Sequence, residues 1–179
     1  MYNLIKRQVQ QIRREGRIAI HRKFLKLLQL FLFTPLSIPI VILLRLLSPI
    51  IWIRFGPIFS SRIGHFAMET EFYLSGKELG LHPSKAIDIF HFRQPPCNTQ
   101  LALMIKRSLR VYPWSKSLSQ ANQWLHYGKN RHQILGSLDN RNRDIIYKTS
   151  PHLCFTGEEN QRGKEFLKKM GLEENDKFI

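Results

Sequence analysis

Cysteine and recognisable cofactor motifs are scarce in this sequence. Its two cysteines, Cys97 and Cys154, make no disulfide framework in a chain of 179 residues, so a reduced, cytosolic compartment is the simpler interpretation. The sequence contains no Cys-x-x-Cys pair, Walker loop, GxSxG elbow or GxGxxG fingerprint, and its seven histidines are scattered. We therefore predict no metal site and no cofactor, and we expect both cysteines to lie in the core.

Acidic residues are rare in the first third of the chain. Residues 1–64 contain eleven Lys and Arg and one acidic residue, Glu15, whereas residues 65–179 contain seventeen basic and twelve acidic residues. The formal net charge of +15 therefore comes mostly from the N-terminal part, which points to anionic lipid or nucleic acid. Because these residues adjoin an apolar stretch and no recognisable reader helix, we predict anionic membrane lipid as the partner and no nucleic acid.

The N-terminal part has the pattern of a membrane-associated segment. Residues 1–26 suit a basic amphipathic helix on a membrane surface, or a solvated basic tail. Residues 27–44 carry no charge and are long enough to span a bilayer, but Pro35 and Pro39 disfavour a straight helix. Basic residues on both sides favour a re-entrant or monotopic segment; a single span and a buried soluble helix pair are the alternatives.

The chain therefore divides into a membrane-associated segment, residues 1–48, and a domain over residues 49–179. Removal of the first segment is expected to leave a soluble remainder. Within the domain, apolar runs predict strands that alternate with helical patterns over short connections. This alternation predicts an α/β fold with a Rossmann-like, mostly parallel sheet and helices on its faces. The predicted strands are residues 50–53, 86–92, 110–112 and 132–135.

The last predicted helix has signals at both ends. Thr156 followed by Glu159 predicts a capping box, and Gly171 followed by Leu172 predicts a Schellman motif. Its apolar residues predict a buried face made of Gly163, Phe166, Leu167 and Met170.

A glycine-containing loop links the first predicted strand to a helix that begins near His65. In α/β proteins, a loop that leads from a strand into the start of a helix often presents backbone N–H groups to an anion. Arg54 and Arg62 flank this loop and can bind a phosphate or a carboxylate, although arginines beside an anionic membrane would give the same pattern. In the helix, Met68, Phe72 and Leu79 predict a core-facing stripe.

His65 and Glu69 are four residues apart on this helix, so their side chains can meet. A carboxylate beside an imidazole fixes its tautomer and raises its basicity, as a general base requires. We assign both residues to catalysis; the alternative is a helix-surface pair with no chemical role.

Four stretches resemble a family of bacterial glycosyltransferases associated with surface-polysaccharide synthesis. They are IRFGPIFSSRIGHFAMETEFYL, AIDIFHFRQPPCNTQL, the element from Lys106 to Pro113, and PHLCFTGEENQRGKEFLKKMGL. The resemblance covers about Ile51 to Ile179, and RIGHF…E.E.YL is its most specific part. With it, we assign substrate binding to Arg54, Arg62, Gly64 and Glu71.

The resemblance implies the N-terminal half of a GT-B architecture, whose second Rossmann-like domain would follow Ile179. In such enzymes the nucleotide-sugar donor binds mainly to the C-terminal domain. This chain would therefore face the glycan or lipid-linked acceptor at the cytoplasmic face of the inner membrane, and would be inactive alone. The alternative is a non-catalytic, membrane-surface binding module with a Rossmann-like fold.

Overall fold

A two-stranded parallel sheet joins five α-helices in the described part of the chain, so the mixed α/β class is confirmed. The computed structural model describes residues 28, 33–134 and 140–172. Two 3-10 helices, Lys129–His132 and Asn140–Lys148, lie among the α-helices. The other elements, in order, are α1 (residues 33–46), β1 (Trp52–Ile58), α2 (Ile63–Glu78), β2 (Ala86–Phe92), α3 (Thr99–Ser108), α4 (Ser115–Trp124) and α5 (Gly157–Lys169).

These elements form two compact units. The first unit contains the described residues through Pro57, together with Lys85–His91 and residues 112–134. The second contains Ile58–Ser84, Phe92–Val111 and the described residues from 140 onward.

The first unit has a core to which α1, the sheet and α4 all contribute. Val41 of α1 is 1% exposed and packs with side chains of both strands and of α4. The buried members of this cluster are Val41, Phe55, Ile89, Leu118 and Ala121, and the partly buried ones are Ile38, Leu44, Ile53 and Leu125. The α1 helix is therefore an integral part of this unit.

The sheet is extended on each side by a short backbone contact. Gln133 forms a parallel bridge with Phe55, and the N–H of Ile134 donates to the Phe55 carbonyl at 2.8 Å. On the other side, the N–H of Tyr112 donates to the Phe90 carbonyl at 2.8 Å. The strands predicted at residues 110–112 and 132–135 are therefore present only as single backbone contacts. The first contact is made with β2 and the second with β1.

The first strand is longer than the sequence predicts, because Gly56 and Pro57 continue it. A Cβ at Gly56 would lie 2.9 Å from the Ile134 Cβ, so only glycine permits this close approach of the neighbouring segment. Glycine and proline usually indicate a loop, so the sequence predicted a loop at Gly56 and Pro57 where β1 in fact continues. Ala86–Phe92, which carries no such residue, was predicted with its full length.

Pro35 and Pro39, which disfavour a straight helix, both lie within α1, which is helical over residues 33–46. The hydroxyl of Ser37 donates to the Phe33 carbonyl at 2.7 Å within this stretch. Within residues 28, 33–134 and 140–172, every helix falls short of the length and apolarity needed to cross a membrane. The basic helix predicted over residues 1–26 lies outside the described residues.

In the second unit, α2 packs against α3 and against Asn140–Lys148. The α2 helix ends in a Schellman motif, in which Gly80 has φ +71° and the N–H of Leu81 donates to the Gly76 carbonyl at 2.8 Å. The predicted stripe on α2 is partly wrong: Phe72 is buried, but Met68 and Leu79 are exposed.

Both caps predicted for α5 are confirmed. Thr156 and Glu159 form the capping box, and the N–H of Leu172 donates to the Leu167 carbonyl at 3.0 Å in the Schellman motif. The predicted buried face is wrong, because α5 has no buried residue among those described and Phe166 is 62% exposed. An apolar stripe identifies a helix, but it does not guarantee a covering partner.

Candidate functional site

The loops that follow β1 and β2 are joined through Ser60. This residue is fully buried; its hydroxyl donates to the Gln94 carbonyl and accepts from the Gln94 N–H at 3.2 Å. Its carbonyl accepts from the N–H of Cys97 at 2.8 Å, and the N–H of Arg93 donates to the Ile58 carbonyl at 2.9 Å. The two carboxyl-end loops therefore form one hydrogen-bonded layer from which α2 and α3 begin.

The α2 helix begins at Ile63 with Arg62 in the N-cap position. Arg62 has extended backbone angles (φ −132°, ψ 126°), its side chain makes no capping bond, and it is exposed. The first turn contains no acidic residue. First-turn N–H groups have no intrahelical acceptor and carry the positive end of the helix dipole. This end of α2, with the Arg62 guanidinium beside it, therefore favours negative charge.

His65 and Glu69 make the contact that their spacing predicts. The His65 Nδ1 lies 3.2 Å from the Glu69 Oε1, and about half of the imidazole is exposed. The Phe59 ring meets the imidazole edge-on, with 5.3 Å between the ring centroids. The carboxylate and the aromatic ring together orient the imidazole while leaving it accessible to a ligand. Its catalytic role stays a prediction.

An open, almost wholly apolar groove of about 510 Å³ lies in the second unit and is lined in part by α2, although neither His65 nor Glu69 is among its lining residues. One wall is the face of α2 that carries Gly64, Met68 and Glu71, three or four residues apart. The remaining lining comes from α2, α3 and the segment between residues 146 and 153: Ala67, Leu101, Met104, Ile146, Pro151 and Leu153. Gly64 is exposed, and an added Cβ would meet no atom within 4 Å.

His152 fastens the last wall of the groove to α2. Its backbone N–H donates to the Glu71 Oε1 at 2.6 Å, and its Nδ1 lies 2.9 Å from the same oxygen. Its Nε2 lies 2.9 Å from the Glu78 Oε2. A neutral imidazole can donate to one of these carboxylates, and an imidazolium can donate to both. Sequence reasoning missed His152, because its partner Glu71 is 81 residues away.

The six predicted site residues do not all come together. Arg62, Gly64, His65, Glu69 and Glu71 lie on α2 and its N-cap, in the second unit. Arg54 belongs to the first unit, inside β1, where its guanidinium pairs with Asp88. It does not flank the loop as predicted, because β1 continues to Ile58. Glu71 contributes to the groove by holding His152.

In the part of the chain that the structure describes, the two cysteines and the clusters of titratable residues give no metal site. Cys97 and Cys154 are both exposed, so their predicted place in the core is wrong. Among the described residues, no group of three or more His, Cys, Asp or Glu side chains is placed to hold a metal ion.

Comparison with known proteins identifies no relative. The chain matches no protein-family model, no curated protein and no solved structure. The resemblance to bacterial glycosyltransferases therefore rests on the four stretches of sequence alone.

Proposed function

We propose that this chain is the acceptor-side, N-terminal domain of a GT-B-type glycosyltransferase of surface-polysaccharide synthesis. The observation that carries the proposal is that α2 both lines the apolar groove and carries, near its N-terminus, the accessible pair of His65 and Glu69. The nucleotide-sugar donor would bind mainly to a second domain, as the resemblance implies, and the groove would hold the acceptor.

The order of backbone contacts in the first unit supports a Rossmann-like half. Across the sheet, Gln133 is followed by β1, then β2, then Tyr112. Numbered by their position along the chain, these four extended segments lie in the order 4-1-2-3. Read from the other edge of the sheet, this is the 3-2-1-4 order of doubly wound folds. Ligands of such folds bind outside the carboxyl end of the first strand, where the order reverses. In this chain β1 leads there into the loop before α2.

The chemistry assigned to His65 is removal of a proton from the acceptor hydroxyl. With its Nδ1–H donated to Glu69, the imidazole presents the lone pair of Nε2 to the acceptor. The acceptor O–H bond breaks as its oxygen attacks the anomeric carbon of the donor sugar. The bond from that carbon to the nucleoside diphosphate then breaks, and the diphosphate leaves with the electron pair. Arg62 and the N-terminus of α2 would stabilise negative charge during this transfer.

The lining of the groove favours a lipid-linked acceptor over a free glycan. A sugar needs hydrogen-bonding groups, whereas this groove is lined by aliphatic and thioether side chains. Its one charged member, Glu71, already accepts two hydrogen bonds from His152. A prenyl or acyl chain would fit the groove, and its phosphate would lie towards Arg62.

Acceptor binding can be tested on the 179-residue chain with farnesyl phosphate as the probe. Methyl-labelled methionine gives a direct readout, because Met68 and Met104 line the groove while Met170 is the C-cap residue of α5. We expect the Met68 and Met104 methyl resonances to shift on titration and Met170 to stay unchanged. Leu101→Glu should abolish these shifts, since it places a charge in the apolar lining. Equal shifts at all three methionines would contradict binding in the groove.

Catalysis is tested separately by turnover in the complete enzyme. His65→Ala should lower kcat by about 10²–10⁴-fold, the usual contribution of a positioned general base. Because the imidazole is half exposed, the thermal midpoint should change little. Glu69→Gln should cost less, since Glu69 only orients the imidazole. An unchanged kcat in His65→Ala would remove His65 from catalysis and leave Arg62 at most as an anion-binding residue.

A further inference from the structure

Residues 33–50, which form α1 and the turn after it, bury small polar side chains together with Val41 and expose most of their large apolar side chains. The buried side chains include small polar ones: Thr34 is inaccessible to solvent, and Ser37 and Ser48 are also buried. The large apolar side chains point outward, with Leu36 69% and Ile50 83% exposed. Those that repeat every three or four residues form one stripe along α1 and the turn at residues 47–50, here called the outer stripe: Phe33, Leu36, Ile40, Leu43, Leu47 and Ile50.

Polar contacts fix the inner side of α1 to the first unit. The Arg45 Nε and Nη2 lie 3.1 Å and 2.7 Å from the Asn122 Oδ1, and Nη2 also donates to the Leu125 carbonyl at 2.9 Å. The Thr34 hydroxyl donates to the Gln120 Oε1 at 3.3 Å. With Val41 in the core, these contacts prevent the helix from rotating its outer stripe inward.

A contiguous apolar stripe of this size on a folded surface indicates a binding partner. The charge of the adjoining sequence decides which one. Residues 1–26 contain eight Lys and Arg and one acidic residue, so an apolar stripe follows a strongly basic stretch. That combination is complementary to an anionic membrane surface, which attracts the basic groups and accepts the apolar ones.

We propose that α1 lies flat in the interface of an anionic membrane, with the outer stripe at the acyl boundary and the inner side on the first unit. This arrangement is monotopic and differs from a re-entrant or spanning segment, because one side of the helix remains on protein along its length. The inference does not depend on the proposed function.

Vesicle binding by the full chain tests the outer stripe. The probe is phosphatidylcholine vesicles with and without phosphatidylglycerol. We expect binding to require phosphatidylglycerol and to fall at least about tenfold in the variant Leu36→Gln, Leu43→Gln, Ile50→Gln, which loses three large apolar contacts. The control makes the same exchange on exposed residues of α5, Phe166→Gln, Leu167→Gln and Met170→Gln, and should bind normally. Equal binding by both variants would overturn the proposal.

Insertion depth distinguishes the flat orientation from a re-entrant one. A fluorophore is placed on Leu36→Cys or Leu43→Cys, after Cys97→Ser and Cys154→Ser remove the exposed thiols. Quenching by lipids with quenchers at known depths should give the same shallow depth at both positions. Different depths would refute the flat orientation. If the chain instead binds no vesicles and forms a dimer that the glutamine variant disrupts, the outer stripe binds a second copy and the membrane proposal is wrong.

Discussion

The guanidinium of Arg54 and the carboxylate of Asp88 form a bidentate ion pair across β1 and β2. The Arg54 Nε and Nη2 donate to the Asp88 Oδ1 and Oδ2 at 2.7 Å and 2.6 Å. Both residues are buried, at 8% and 7% exposed. Two parallel charge-assisted bonds in a buried site fix the register of the two strands.

Breaking this pair should destabilise the protein strongly. Asp88→Ala leaves the Arg54 guanidinium buried without its counter-ion, which costs about 3–5 kcal/mol. The double variant Arg54→Met, Asp88→Leu should recover much of this loss, because it buries no uncompensated charge. Urea unfolding gives the free energies. Arg62→Ala is the control, as an exposed arginine, and should change stability by less than about 0.5 kcal/mol. A small effect of Asp88→Ala would mean that water reaches the Arg54 side chain.

Stability should fall with acid because of His91. Burial, with the nearby Lys116 as a smaller cause, lowers the pKa of His91 to about 4. The folded state therefore holds this imidazole neutral, whereas the unfolded chain binds a proton below its ordinary pKa near 6.5. Above pH 6.5 this imidazole is neutral in both states and costs no stability. As the pH falls from 6.5 towards 4, the unfolded chain binds the proton and the free energy of unfolding falls progressively.

The variant His91→Leu removes this titration and should flatten the pH dependence of unfolding between these limits. The difference between wild type and variant is on the order of 3 kcal/mol over the range. His126→Gln, at an exposed position, should leave the profile unchanged. Parallel profiles for wild type and His91→Leu would assign the acid sensitivity to other groups; His132, whose pKa burial also lowers, would be the next to replace.

A methyl group at Gly56 should weaken the sheet. The new Cβ would lie 2.9 Å from the Ile134 Cβ and 3.2 Å from the Phe90 Cε1, so Gly56→Ala forces the neighbouring segment away at a cost of about 1–3 kcal/mol. Gly163→Ala in α5 is the matched control, since its Cβ would meet nothing and alanine favours a helix by about 0.5–1 kcal/mol. Thermal unfolding should show opposite signs for the two. Stabilisation by both would show that Ile134 does not pack on Gly56.

The sequence predicted those structural features that depend only on residues close together in the chain. The capping box at Thr156 and the Schellman motif at Gly171 involve residues within five positions of each other. The strand Ala86–Phe92 is bounded by turn residues on both sides. The contact between His65 and Glu69 follows from one turn of helix.

Long-range features could not be predicted, because they depend on which surfaces meet. Nothing local in the sequence pairs Arg54 with Asp88, or places His152 between two carboxylates of α2. The same limit applies to the apolar residues of α1 and α5. Their spacing indicated a helix, but the side that is buried is decided by neighbours distant in the chain.

The contacts of Arg45 make α1 a poor candidate for a detachable anchor. This one guanidinium binds oxygens of Asn122, Leu125 and Tyr127, so it holds the segment that ends α4, while Val41 completes the core. Removal of residues 1–48 would take Val41 away from Phe55 and Ile89, so the solubility predicted for the remainder would have to survive the exposure of this core. Release from a membrane that leaves this core intact would therefore have to act on the lipid contacts themselves, through salt or lipid composition.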